Sequence, residues 1–173
     1  MCAIAGFINF SSFFKNPEDV LHDMARALAH RGPDASGIWF HAPTRTGLAH
    51  TRLKIIDCTD AAAQPMRSRS GRFTLIYNGE IYNFQELREE LRALGVEFRS
   101  ESDTEVLLAA VETWGIQGAA RRAVGMFAFA VHDAQERTLH LVRDRIGVKP
   151  LYYRWIGQGD TRLFAFASEL KAI

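Results

Sequence analysis

From Gly125 to Ser168 the pattern of large apolar residues takes a period of two in four short segments. The segments "MFAFAVHD" and "TLHLVRD" flank "AQER", and "PLYYRWI" and "RLFAFAS" flank "GQGDT". Alternation of this kind sends successive side chains to opposite faces of a strand, so each pair reads as a hairpin closed by a polar turn. Short turns join only antiparallel neighbours. This part of the chain is therefore committed to antiparallel sheet, and whatever precedes it must pack against that sheet.

The preceding residues supply both partners. A strand is expected from Cys2 to Phe10, and "GIWF", "TGLAHTRLKIID" and "FTLIYNGEI" read as further strands, rich in β-branched and aromatic residues. "NPEDVLHDMARALAHRG" carries helix signals: Asn16 as cap, Pro17 at the first position, acids in the first turn and Gly32 at the exit. Leu21, Met24, Ala25 and Leu28 share one face of it. In "NFQELREELRALG", Asn83 and Glu86 form a capping-box pattern ahead of a stripe of Phe84, Leu87, Leu91 and Leu94, with Gly95 at the end. Ser102 and Glu105 repeat the pattern in "SDTEVLLAAVETWG", before Val106, Leu107, Ala110, Val111 and Trp114. Strands, then grouped helices, then hairpins indicate an α+β fold rather than alternating βαβ units.

Composition narrows the function. With 173 residues, 47% of them hydrophobic, the chain suffices for one compact domain that buries roughly 70% of its unfolded surface. Lys and Arg (21) nearly balance Asp and Glu (20), which removes the electrostatic basis for general nucleic-acid binding and favours a small or zwitterionic ligand. Two cysteines, Cys2 and Cys58, suit a reducing compartment, so a cytoplasmic location is expected. The apolar run Ala123 to Val131 is far short of the ~20 residues of a spanning helix, and no basic n-region precedes "CAIAGFI". The six histidines show no metal-site spacing, and no phosphate-cradling glycine motif is present.

Five islands remain: Cys2, "HRGPD", "HTRLKIID", "YNGE" and "SDTE". Each has an ordinary structural explanation: a buried cysteine, a turn, a surface arginine, an Asn-Gly turn, a helix cap. Together they suit one substrate class. An α-amino group titrates near 7.7 to 8.0, so an N-terminal cysteine freed of Met1 carries its own general base. Asn78 and the Gly79 N–H offer donors to an oxyanion, Arg52 suits an α-carboxylate, and Asp103 or Glu80 suits an α-ammonium. Glutamine is then a natural candidate. Cys58, beside two acids in "DCTD", reads as a buried or incidental thiol.

The collinear segments "MCAIAGF", "HRGPDASGIW", "HTRLKIID", "AQPM", "YNGEIYNFQEL", "SDTEVLL", "GMFAFAVHD", "RDRIGVKPLYY" and "FASELKAI" resemble the glutamine-hydrolysing domain of asparagine synthetases, among the class II glutamine amidotransferases. "HTRLKIID" and "ASELKAI" are similar to the asparagine synthetase branch rather than the sugar-phosphate or phosphoribosyl branches, although Ala63 stands where glycine is common. The resemblance implies an N-terminal nucleophile (Ntn) hydrolase fold, a four-layer αββα sandwich. It implies that Cys2, exposed by removal of Met1, attacks the glutamine side-chain amide, with an oxyanion hole from Asn78 and Gly79. It also implies a carboxylate clamp from Arg52, a wall from the backbone of Leu53, Lys54, Ile55 and Ile56, and ammonium recognition by Glu80 and Asp103.

The same resemblance makes residues 1–173 a type 2 glutamine amidotransferase domain without its ATP-dependent synthetase domain. L-glutamine and a synthetase domain, joined or separate, are then the expected partners, with a homodimer among the assemblies it allows. No cofactor is expected in this domain; ATP and Mg belong to the synthetase. The rival reading is a non-catalytic glutamine-sensing or docking module, which would tolerate loss of the nucleophile or the oxyanion donor, and this chain keeps both.

Overall fold

The computed structural model describes residues 2–9, 14–55, 57, 59–159 and 162–173, so expectations resting on Met1, Phe10, Ile56 and Cys58 lie outside it. The strands are β1 (Ala3–Asn9), β2 (Ala35–His41), β3 (Thr46–Arg52), β4 (Met66–Arg67), β5 (Phe73–Ile81), β6 (Gly125–Asp133), β7 (Thr138–Arg143), β8 (Tyr152–Ile156) and β9 (Leu163–Ala167). They form a five-stranded sheet of order β2-β3-β1-β9-β8 and a four-stranded sheet of order β4-β5-β6-β7. All of these strand pairings are antiparallel. Both C-terminal hairpins form as their alternation requires.

Among the described residues, three α-helices flank the sheets: α1 (Pro17–Ala27), α2 (Phe84–Ala93) and α3 (Asp103–Arg122). Leu21, Met24, Ala25 and Leu28 pack with Ala3, Ala5 and Phe7, which places α1 on the outer face of the five-stranded sheet. Leu87, Leu91, Val106, Leu107 and Val111 pack with Tyr77, Phe127 and Phe129, which places α2 and α3 on the outer face of the four-stranded sheet. Between the sheets lie Ile4, Leu48, Ile76, Ala128, Ala130 and Phe166. The result is the αββα sandwich, within the α+β class. Strand β1 is buried on both faces, which explains why "AIAGF" is apolar at even and odd positions alike. Each large aliphatic side chain so buried contributes about 1.5–3 kcal/mol.

Several local expectations are corrected. Strand β3 stops at Arg52 instead of running on to Asp57, because the chain turns away and the Lys54 N–H is taken by the Asp34 carboxylate at 2.8 Å. The helix expected to end at Gly115 does break there, at φ 74°, and helical turns resume to Arg122. Asn83 builds no capping box; its amide bridges Arg122 O and Val124 N–H at 3.0 and 2.9 Å, tying the start of α2 to the end of α3. Asn16 also makes no cap bond and donates to Asp19 instead. Leu94 lies just past α2 and is exposed, so it leaves the predicted stripe. The two-residue strand β4 is too short to show any period in the sequence.

Ser102 is a true cap, accepting the Glu105 N–H at 3.2 Å, while the Glu105 carboxylate turns to the N–H groups of Arg99 and Ser100. Ser102→Ala is expected to cost about 1 kcal/mol, whereas Asn16→Ala should stay within about 0.5 kcal/mol of the parent. Urea unfolding of the two variants checks the contrast.

Candidate active site

The two sheets bring the predicted residues together at one end of the sandwich. Cys2 shares the parity of Ile4, and Asn78 that of Ile76, so both side chains belong to the space between the sheets, one from each. They line a cavity of about 200 Å³ together with Arg52, Leu53, Ile55, Gly79, Glu80 and Asp103. Lys54 is not part of that lining. Gln64, Tyr77, Met126 and Lys149 are part of it too; they fall within "AQPM", "YNGE", "GMFAFAVHD" and "RDRIGVKPLYY", but no role was expected of them.

The Cys2 sulfur is half-buried and accepts the Leu53 N–H at 3.4 Å. The Cys2 carbonyl accepts Arg31 Nε at 3.3 Å, and Arg31 Nη1 reaches Glu169 Oε1 at 3.0 Å. Arg31, then His30 and Lys171, hold the Glu169 carboxyl down to about 2. Next to it, Ser168 Oγ accepts the Ile4 N–H at 3.0 Å, and the Ser168 N–H donates to Ile4 O at 2.8 Å. The start of β1 is thereby gripped from the "HRGPD" turn and from the last residues of the chain. Sequence reasoning noticed both segments and assigned no such role to either.

The donor side rests on the free edge of β5. The Tyr77 N–H donates to Gln64 Oε1 at 2.6 Å, and the Ile81 N–H donates to Asp103 Oδ2 at 3.2 Å. Backbone groups alternate sides along a strand, so the Gly79 N–H points to this same edge, between two N–H groups already satisfied. A Cβ at Gly79 would fall 2.5 Å from Met126 O and 2.7 Å from Phe127 Cβ. Glycine is required there because β6 approaches so closely. The neighbouring Asn78 is 1% exposed, and its Nδ2 is buried without a hydrogen-bond partner. An orphaned buried amide costs about 1–3 kcal/mol, an expense that a ligand acceptor at this position would relieve.

The rest of the wall is polar and desolvated. Burial raises the Asp103 carboxyl above its ordinary value, against the opposing hydrogen bonds from Tyr77 Oη at 2.6 Å and the Ile81 N–H. Burial, reinforced by Asp103, in turn pushes the Tyr77 phenol well up. His50 is driven down to about 3 by burial, so at neutral pH it is uncharged and its Nε2–H donates to Tyr77 O at 3.2 Å. Glu80 stands exposed at the rim. The buried Arg52 guanidinium donates to Thr59 O at 2.9 Å and to Asp57 O, so it holds the loop that follows β3. That loop is pinned again where the Asp57 carboxylate accepts the Glu101 N–H at 3.0 Å.

A family model described as a glutamine amidotransferase domain matches residues 1–173. The chain is 39% identical over 175 residues to asparagine synthetase [glutamine-hydrolyzing] 3 of Bacillus subtilis, covering 100% of this chain and 27% of that protein. It is 39% identical over 186 residues to a putative asparagine synthetase [glutamine-hydrolyzing] of Mycobacterium tuberculosis, covering 28% of it. The chain thus spans about a quarter of the length of these relatives. Among solved structures, glutamine phosphoribosylpyrophosphate amidotransferase of B. subtilis superposes with a TM-score of 0.80 at 21% identity, over 99% of this chain and 42% of that one. At that identity the likeness is one of fold.

The grip on β1 yields a pH-dependent prediction. The Glu169 carboxyl lies near 2 in the folded protein against an ordinary 4.5, so its contribution is complete above about pH 4.5 and is lost as pH falls toward 2. Glu169→Gln should lower stability at neutral pH by about 1 kcal/mol. The gap from the parent should narrow below pH 4.5, as read from urea midpoints along a pH series.

Proposed function

The chain belongs to the glutamine amidotransferase domain family, and from that premise we propose that it hydrolyses the side-chain amide of L-glutamine to glutamate and ammonia through a γ-glutamyl thioester on Cys2. The observation that carries this reading is the unpartnered Asn78 amide beside the Gly79 N–H, aimed between the sheets where Cys2 stands. Once Met1 is removed, the α-amine of Cys2 takes the thiol proton and the sulfur attacks the amide carbon. The carbonyl oxygen becomes an oxyanion held by Asn78 and Gly79, with donors already in place before the charge develops. Collapse breaks the C–N bond, and ammonia leaves with the proton returned by the α-ammonium. Water then attacks the thioester, releasing glutamate and restoring the thiol.

The ends of glutamine are read by the cavity wall. Arg52 receives the α-carboxylate, exchanging at least one of its loop carbonyls, Asp57 O or Thr59 O, for the substrate. Asp103 and Glu80 receive the α-ammonium. In this reading Asp103 acts as an anion, and the incoming cation offsets the burial that opposes its ionisation. The ammonia serves an asparagine-synthetase-type, ATP-dependent amidation on a synthetase domain, joined or separate. ATP and Mg act there, and the assembly works in the cytoplasm.

Cys2→Ala should abolish glutamate release from glutamine while leaving the far-UV circular dichroism unchanged. Asn78→Ala should lower turnover on the order of a hundred- to a thousandfold. A glutamine-like electrophile should add mass at Cys2, and only in protein from which Met1 has been removed, as read by peptide mass spectrometry.

A further inference from the structure

We propose that Gln64 is a positioning residue for the oxyanion donors, a role that rests on the glutaminase reading above. Strand β4 pairs with β5 at Met66↔Leu75 and Arg67↔Thr74, and that register, if continued, would set Gln64 opposite Tyr77 and Ala62 opposite Gly79. A continued ladder would consume the Gly79 N–H. Instead the chain leaves the sheet ahead of Met66, and its upstream residues Asp60–Ala62 form a 3-10 turn. The Gln64 backbone crosses to the other sheet: a Cβ on Gly37 would fall 2.1 Å from Gln64 O and 3.2 Å from Pro65 Cδ.

The Gln64 side chain does at Tyr77 what the missing ladder would have done. Oε1 accepts the Tyr77 N–H at 2.6 Å, and Nε2 donates to Thr104 Oγ1 at 3.2 Å. Gln64 is 8% exposed and lines the same cavity as Cys2. One amide therefore spans from β5 to the first turn of α3, next to Asp103, which satisfies the Ile81 N–H. The two side chains fill the hydrogen-bonding positions on either side of Gly79 and leave its N–H for substrate. Without the Gln64 acceptor, the segment Tyr77–Gly79 loses the bond that fixes its edge, and both oxyanion donors shift together.

The test compares Gln64→Glu with Gln64→Met. Glutamate keeps the acceptor for Tyr77 and also accepts from the Thr104 hydroxyl, but it buries a charge; methionine fills the space and removes the acceptor. Gln64→Met should lower kcat about 10- to 100-fold with KM changed less than about threefold, whereas Gln64→Glu should keep kcat within about tenfold of the parent. The urea midpoints should rank the opposite way, with Gln64→Met the more stable variant. Parental kcat in Gln64→Met, or activities that rank as the stabilities do, would overturn the role. Amide hydrogen exchange at Tyr77 separates this from a failure of the glutaminase reading. Faster exchange in Gln64→Met than in Gln64→Glu supports the positioning bond even in a parent that turns over no glutamine, and equal exchange in the two variants refutes it.

Discussion

The obligation of buried backbone N–H groups to find acceptors governs this site. Strand β5 is paired with β6 along one edge, while its other edge passes from the two-residue strand β4 into the cavity. Along that stretch Tyr77 is satisfied by the Gln64 side chain and Ile81 by Asp103, each from a different element. Gly79 lies between them. An open donor on a strand edge is thus made by ending a ladder early and filling the positions on both sides of the gap. The buried Asn78 amide adds a second donor on the inner face of the same strand.

The Cys2 side of the cavity follows a different rule. Cys2 precedes the first paired residue of β1. Its position is supplied by groups distant in sequence: Arg31 on its carbonyl, Glu169 behind Arg31, and Ser168 on both polar groups of Ile4. The family resemblance of "HRGPD" and "FASELKAI" thereby acquires a physical meaning. One motif supplies the cation that holds the Cys2 carbonyl, and the other supplies the anion that holds the cation.

Most of the framework was legible because it is periodic. The hairpins at Gly125 to Ser168 and the burial of Leu21, Met24, Ala25 and Leu28 follow from periods of two and 3.6. Caps were less legible: Ser102 bonds as its pattern suggests, while Asn16 and Asn83 stand at the same kind of position and bond elsewhere. A capping side chain has several acceptors and donors within reach, and the local pattern does not rank them. Arg52 illustrates the same limit. Its chemistry suits a carboxylate, and its guanidinium donates to two carbonyls of its own loop.

By itself the sequence determined the fold class, the face each helix buries, and a set of reactive residues whose chemistry suits glutamine, because alternation and functional-group chemistry are properties of short segments. Tertiary structure alone decided that β3 ends at Arg52, that Gln64 substitutes for a ladder bond, and that Glu169 supports Cys2 through Arg31. Those outcomes depend on hydrogen bonds whose partners lie from 13 to 138 residues apart. Such bonds are chosen by which groups the packed sheets leave unsatisfied, and that choice has no periodic trace in the chain.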